Sequence, residues 1–141
     1  MAATVIVTRG VPGPRGPQGI AGPAGGASTV VVGALPISGH SAVALDASGL
    51  LVAADCTLPA HLGAVQGILA NAVMPGDNAV VQTDFELSHS GWAFTPGPVF
   101  AGVAGALVQA LPIGAVFAQV IGFALSATRI RIDVQPPIVL T

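Results

Sequence analysis

Glycine returns at every third position from residue 10 to residue 25: Gly10, Gly13, Gly16, Gly19, Gly22 and Gly25. Proline directly follows the glycine at Pro14, Pro17 and Pro23. This is the G-X-Y pattern of collagen, in which three polyproline-II chains wind together because only glycine fits on the crowded axis. A flexible Gly/Pro linker is the alternative, but a linker has no reason to keep a three-residue phase through five full triplets. At about 3.1 Å per residue the segment makes a rod of roughly 50 Å. So short a triple helix does not hold by itself, and a flanking domain must bring three chains into register. The repeat therefore predicts a homotrimer and an adjoining trimerisation domain.

The repeat divides the chain into an N-terminal arm (residues 1–9), a collagen-like stalk (10–26) and a C-terminal domain (27–141). In the arm, Thr4, Val5, Ile6, Val7 and Thr8 form a β-branched run that favours an extended conformation. It is too short to fold alone, and the reading preferred here is an anchor that docks on a larger assembly by adding a strand. A disordered tail is the alternative.

After Gly26 the periodicity changes to two. Arg129-Ile130-Arg131-Ile132-Asp133-Val134 alternates cleanly, with Ile130, Ile132 and Val134 on one face. Residues 29–35, 41–45, 50–54, 63–70, 79–87, 99–101, 107–109 and 116–124 read as further short strands. Asp46-Ala47-Ser48-Gly49, Pro75-Gly76-Asp77-Asn78 and Thr95-Pro96-Gly97-Pro98 are among the turn signals between them. Short strands at this spacing predict an all-β fold, a compact sandwich or barrel. No convincing helical stripe occurs, although residues 58–62 can make one turn.

Only 7% of the residues are charged, against about 25% in an average soluble domain. Four arginines, no lysine and a net charge of −2 leave no electrostatic footprint for nucleic acid or an anionic membrane. No residue from 87 to 128 is charged, a stretch long enough for two membrane helices. Pro96, Pro98, Pro112 and many glycines interrupt it, Gln109 and Gln119 sit in its most apolar parts, and no basic cluster flanks it. No membrane span is expected. A basic segment followed by a long apolar one is missing at the N-terminus, so no signal peptide is expected either. Alternate positions that a lone β-domain would make polar are Ala, Val or Gly here, as in Ala42-Val43-Ala44-Leu45 and Val116-Phe117-Ala118. Excess apolar surface of this kind marks a protein interface, which trimerisation would bury.

Signals for chemistry are sparse. Cys56 is the only cysteine, so no disulfide within the chain is possible, and a small buried hydrophobe is its expected role. His40, His61 and His89 do not lie at metal-ligand spacing on one element; one of them ringing a trimer axis is a lesser alternative to ordinary turn histidines. Asp84 and Glu86, two apart, would share a strand face and read as solvated. Ser88-His89-Ser90 is no triad by adjacency alone. Trp92, beside Phe94, is a candidate receptor contact, with burial the competing role. No phosphate-binding loop or nucleophile elbow occurs, so neither catalysis nor a cofactor is expected.

The stretch from Ser41 to Val134 resembles the C-terminal β-domain of small collagen-containing bacteriophage virion proteins. The matching landmarks are LDASG (45–49), PAH (59–61), VQGI (65–68), PGDNAVVQT (75–83), GWAFTPGPVFAG (91–102), GALVQALP (105–112) and IGFALSATRIRID (121–133). A related rhythm is similar to phage capsid cement or decoration proteins: Gly76 and Asp77 turn into the Val80-Val81 strand, and Gly122 and Ala124 fall in a late one. These landmarks are turns and strand cores, so they specify fold better than task, and the resemblance brings no catalytic residue. It implies a trimeric, exposed virion component.

The expected function is a non-enzymatic structural protein of a virion, on its outer surface. It would be a homotrimeric head fibre or capsid decoration protein, held to other virion proteins by the arm and projecting a β-head on the stalk. The short rod favours this over a tail fibre or adhesin whose head meets the host cell surface through Trp92 and Phe94. An enzyme acting on cell-wall polymer is the third reading and lacks any supporting motif.

Overall fold

The computed structural model describes residues 27–140. In chain order its strands are β1 (Ala27–Val31), β2 (Ser41–Leu45), β3 (Leu51–Ala53), β4 (Val65–Leu69), β5 (Asn78–Gln82) and β6 (Glu86–Ser88). There follow β7 (Gly97–Ala101), β8 (Leu107–Val108), β9 (Phe117–Ala118), β10 (Val120–Ser126), β11 (Arg129–Ile132) and β12 (Ile138–Val139). The one helical element among the described residues is a 3₁₀ turn at Pro59–His61, inside the segment expected to make one turn. The first five strands form an antiparallel sheet in the order β1-β5-β4-β2-β3. A second five-stranded sheet runs β6-β11-β10-β7-β8, and β9 pairs with β12 in a short ribbon. The all-β expectation holds.

Local chemistry closes the turns as the sequence suggests. Between β2 and β3 the Asp46 carboxylate accepts from the Ser48 N–H at 2.8 Å and the Leu50 N–H at 3.0 Å, and Gly49 takes the left-handed conformation. Before β5 the Asp77 carboxylate accepts from the Met74 N–H at 3.1 Å, beside Gly76 at φ 83. Side-chain oxygens that capture backbone donors in this way make a turn out of sequence alone.

Most expected strands shift by one or two residues at an end, β12 is not among those expected, and three expected strands differ more. The first strand stops at Val31, and after Val32 the chain leaves the ladder through Gly33 and Pro36. Residues 79–87 split into β5 and β6, because Phe85 adopts φ 70 and ends the alternation. Asp84 and Glu86 therefore do not share a strand face: Asp84 lies in the bend, and Glu86 pairs with Arg129 at 3.3 Å. Residues 116–124 split at Gln119, where the chain passes from the ribbon to the second sheet. The Gln119 amide is buried there and donates to the Gln135 carbonyl at 2.8 Å.

The first sheet closes on itself. Beyond β1, Val32 forms a parallel bridge with Leu51 at the far edge, and the Gly33 N–H reaches the Leu51 carbonyl at 2.9 Å. Val43, Leu51, Leu69, Ala79 and Val81 fill the interior. The outer face over β2 and β4, carrying Ala42, Ala44 and Ile68, packs against Val99, Ile121, Ala124, Ile130 and Ile132 of the second sheet. Ile130 and Ile132 point inward as their alternation predicts, and Val134 packs beside them.

This arrangement corrects one inference from composition. Ala42, Val43 and Ala44 are wholly buried within a single chain. Val43 faces the closed interior, while its neighbours face the second sheet. Phe117 and Ala118 are likewise inside. These runs are apolar on both faces because each lies between packed groups of its own chain, not because another subunit covers them.

Candidate functional site

The stalk glycines Gly10, Gly13, Gly16, Gly19, Gly22 and Gly25 and the arm residues Thr4, Val5, Ile6, Val7 and Thr8 lie outside the described residues. The remaining candidates, Trp92 and Phe94, sit in the loop between β6 and β7. Backbone bonds strap this loop to the β10–β11 turn: the His89 N–H reaches the Thr128 carbonyl, and the Phe94 N–H the Ala127 carbonyl, both at 2.9 Å. Gln109 clamps its far end, accepting from the Thr95 N–H at 2.9 Å and donating to the Thr95 carbonyl at 2.6 Å. This explains a polar residue in an otherwise apolar run.

Four rings meet here. His40 and His89 stack with ring centroids 4.0 Å apart and planes 15° from parallel. Trp92 presents an edge-on contact to each at 5.5 Å, and Phe94 lies 5.3 Å from Trp92. Trp92 and Phe94 are half-buried and pack on the core between the sheets. His40 leads into the first sheet and His89 leaves the second, so the rings clasp one end of the domain. His40 itself is held at φ 58, a left-handed region that few non-glycine residues enter and that histidine enters more readily than most. Nothing in the sequence announces the histidine pair, because its members flank strands of different sheets and share no motif. Trp92 and Phe94 were legible as an aromatic feature, and the structure assigns them at least a packing role.

A second site is a groove of about 480 Å³ lined by Leu35, Ile37, Val52, Leu58, Asp55 and His61, among others. Its polar atoms serve the loop itself. The Asp55 carboxylate accepts from the Thr57 N–H at 2.9 Å, the Thr57 hydroxyl at 2.6 Å and the Ala104 N–H at 3.3 Å. The Asp55 N–H in turn donates to Nδ1 of His61 at 3.0 Å. Two of these three contacts hold backbone N–H groups, and the one from Ala104 joins the second sheet's loop to the first. Cys56, beside it, is fully buried, and burial pushes its thiol above the usual range, with the Asp55 charge adding to the effect. Such a thiol is inert at neutral pH. Among the described residues no three His, Cys, Asp or Glu side chains gather as metal ligands, and no helix is long and apolar enough to cross a membrane.

Two of these groups make folding sensitive to acid. Burial and the neighbouring His89 hold the His40 imidazole below the usual histidine range, against a hydrogen bond with the Ser88 backbone that favours the charged form. For Asp55, burial alone would raise the carboxyl, but the bonds from Thr57 and Ala104 and the proximity of His61 outweigh it and lower it. In both cases the unfolded chain binds the proton more readily, so stability falls with pH. The His40 contribution is complete above about pH 6.5 and is lost below it; the Asp55 contribution fades only below about pH 4. Thermal unfolding followed from about pH 8 down to about pH 2 should show a midpoint that begins to fall near pH 6.5 and falls again below about pH 4. His40→Gln should flatten that first decline and leave the second. A midpoint level down to pH 5 would refute the assignment.

Neither a protein-family model nor a curated protein sequence matches the chain.

Proposed function

We propose that this chain is a non-enzymatic structural protein of a bacteriophage virion, a homotrimeric head fibre or capsid decoration protein. The observation that carries the proposal is the position of the Gly-X-Y repeat, whose last glycine, Gly25, stands two residues before β1 begins at Ala27. A segment that requires three chains leads straight into a strand of an all-β domain, with no room for an independent linker. The phage assignment rests on the likeness of the LDASG, PGDNAVVQT and IGFALSATRIRID landmarks to virion β-domains. In this reading Thr4 to Thr8 insert into the particle by strand addition, the stalk projects the domain, and the β-head stands on the outer surface.

Light scattering on the purified full chain should return the mass of three copies, and antibody labelling of particles should decorate the head. Removing residues 1–9 should leave soluble trimers that no longer join particles; unchanged incorporation would refute the anchor. Label at the tail tip would transfer the trimer to the adhesin reading, in which Trp92 and Phe94 face a host receptor.

A further inference from the structure

We infer that the outer face of β1 and β5, carrying Thr29, Val31, Asn78 and Val80, is the surface on which three copies of this domain pack around the stalk axis. The inference rests on the trimer reading of the repeat and adds to it the face that each chain contributes.

Reach supplies the first argument. In a collagen-type triple helix every third-position glycine lies at the axis. Ala27 is two residues beyond Gly25, and an extended chain covers at most about 3.6 Å per residue. The start of β1 therefore lies within about 7 Å of the last axial glycine. Three β1 strands that begin so close together must share the space around the axis.

The second argument is the half-covered sheet. Strand pairing puts Thr29 opposite Val80 and Val31 opposite Asn78, on the same outer face as Ile68 and Ala42. The second sheet covers that face over β4 and β2, where Ile68 and Ala42 are wholly buried. Over β5 and β1 the second sheet does not extend, and the face is open to solvent: Val80 is 51% exposed and Val31 42%. The uncovered half is the half adjoining the stalk.

Charge supplies the third. A side chain beside a threefold axis meets its own copies, so an ionised group there faces like charge. Neither β1 nor β5 contains a charged residue. The outer face of the second sheet, by contrast, carries Glu86, Arg129 and Arg131, all exposed. Before the closure at Val32, β1 pairs on one side only, with β5, and bears none of the lysines or prolines by which exposed edge strands are kept from pairing. A neutral, β-branched end strand next to a trimeric stalk fits a second and third copy of itself.

Thiol labelling of the full chain tests this without disturbing the fold. Val80→Cys should react with a maleimide at least about tenfold more slowly than Phe123→Cys, on the outer face of the second sheet, as expected for a site opened only by dissociation. Val80→Glu, which sets three carboxylates together, should convert the trimer to a folded monomer, while Phe123→Glu should leave the trimer mass unchanged. If the unmodified chain is itself monomeric, the trimer reading fails and the face loses its occupant. If it is trimeric but Val80→Cys labels as fast as Phe123→Cys, or Val80→Glu stays trimeric, the trimer stands and this face is not its interface.

Discussion

Phe117→Ala should cost about 3–5 kcal/mol of unfolding free energy, at the upper end of that range. Phe117 is the largest fully buried side chain among the described residues, and it belongs to the cluster between the sheets, where Ile68, Ile121 and Ile130 are joined by Ala42, Ala44, Ala54, Ala101 and Ala124. Alanines have no rotamers with which to fill a void, and most of these sit on strands whose spacing the hydrogen-bond ladders fix. The cavity left by the ring therefore stays open, and the missing contacts add to the lost transfer free energy. Position matters as well. Phe117 pairs with Val139 in the β9–β12 ribbon, so its loss also loosens the end of the described chain. Urea unfolding at matched chain concentration should show the midpoint falling with the slope little changed. Ile113→Ala is the control: Ile113 is fully exposed, and its truncation should stay within about 0.5 kcal/mol. Equal effects at the two positions would show that the cluster between the sheets is not the stabilising core.

The contrast between these two residues bears on what can be read from the chain without coordinates. Turns were legible because their chemistry is local: Asp46 caps its own hairpin and Gly49 supplies the left-handed residue three positions later. Strand β11 was legible because one of its faces meets water, so Arg129, Ile130, Arg131 and Ile132 alternate. Strand β2 was misread for the opposite reason. With both faces buried inside one chain, Ala42, Val43 and Ala44 carry no alternation, and their uniform apolarity resembles a subunit interface. The break at Gln119 was hidden, since the partner of its side-chain N–H, the Gln135 carbonyl, is known only once the chain has turned back. The His40–His89 stack was hidden in the same way. What the sequence states most plainly, the three-residue glycine period, concerns residues before the domain, and it bears on the domain through the two-residue step from Gly25 to β1.

Gly67→Ala should destabilise the domain by about 3 kcal/mol, the upper part of the range for overpacking a well-filled interior. A Cβ at this position would run into the Gln82 carbonyl oxygen and meet Val81 Cγ1 at 3.0 Å. The first obstacle is backbone, in a strand held on its other side by β1, so β5 must move as a whole to make room. Gly49 separates this effect from conformational preference. It sits at φ 81 with open space where a Cβ would go, so Gly49→Ala pays only the left-handed penalty of about 1–2 kcal/mol. Gly122→Ala should resemble Gly67→Ala, because its Cβ would lie 2.6 Å from the Arg131 carbonyl oxygen. Denaturant unfolding of the three variants should rank Gly67 and Gly122 together and well above Gly49; a common cost for all three would mean that strand approach is not what these glycines serve. Association should then tell Gly67 and Gly122 apart. Gly67 supports β5, which carries Val80, whereas Gly122 lies in the second sheet, away from the inferred interface. Displacing β5 should weaken the trimer as well as the fold, so Gly67→Ala should dissociate at higher chain concentration than Gly122→Ala of equal stability.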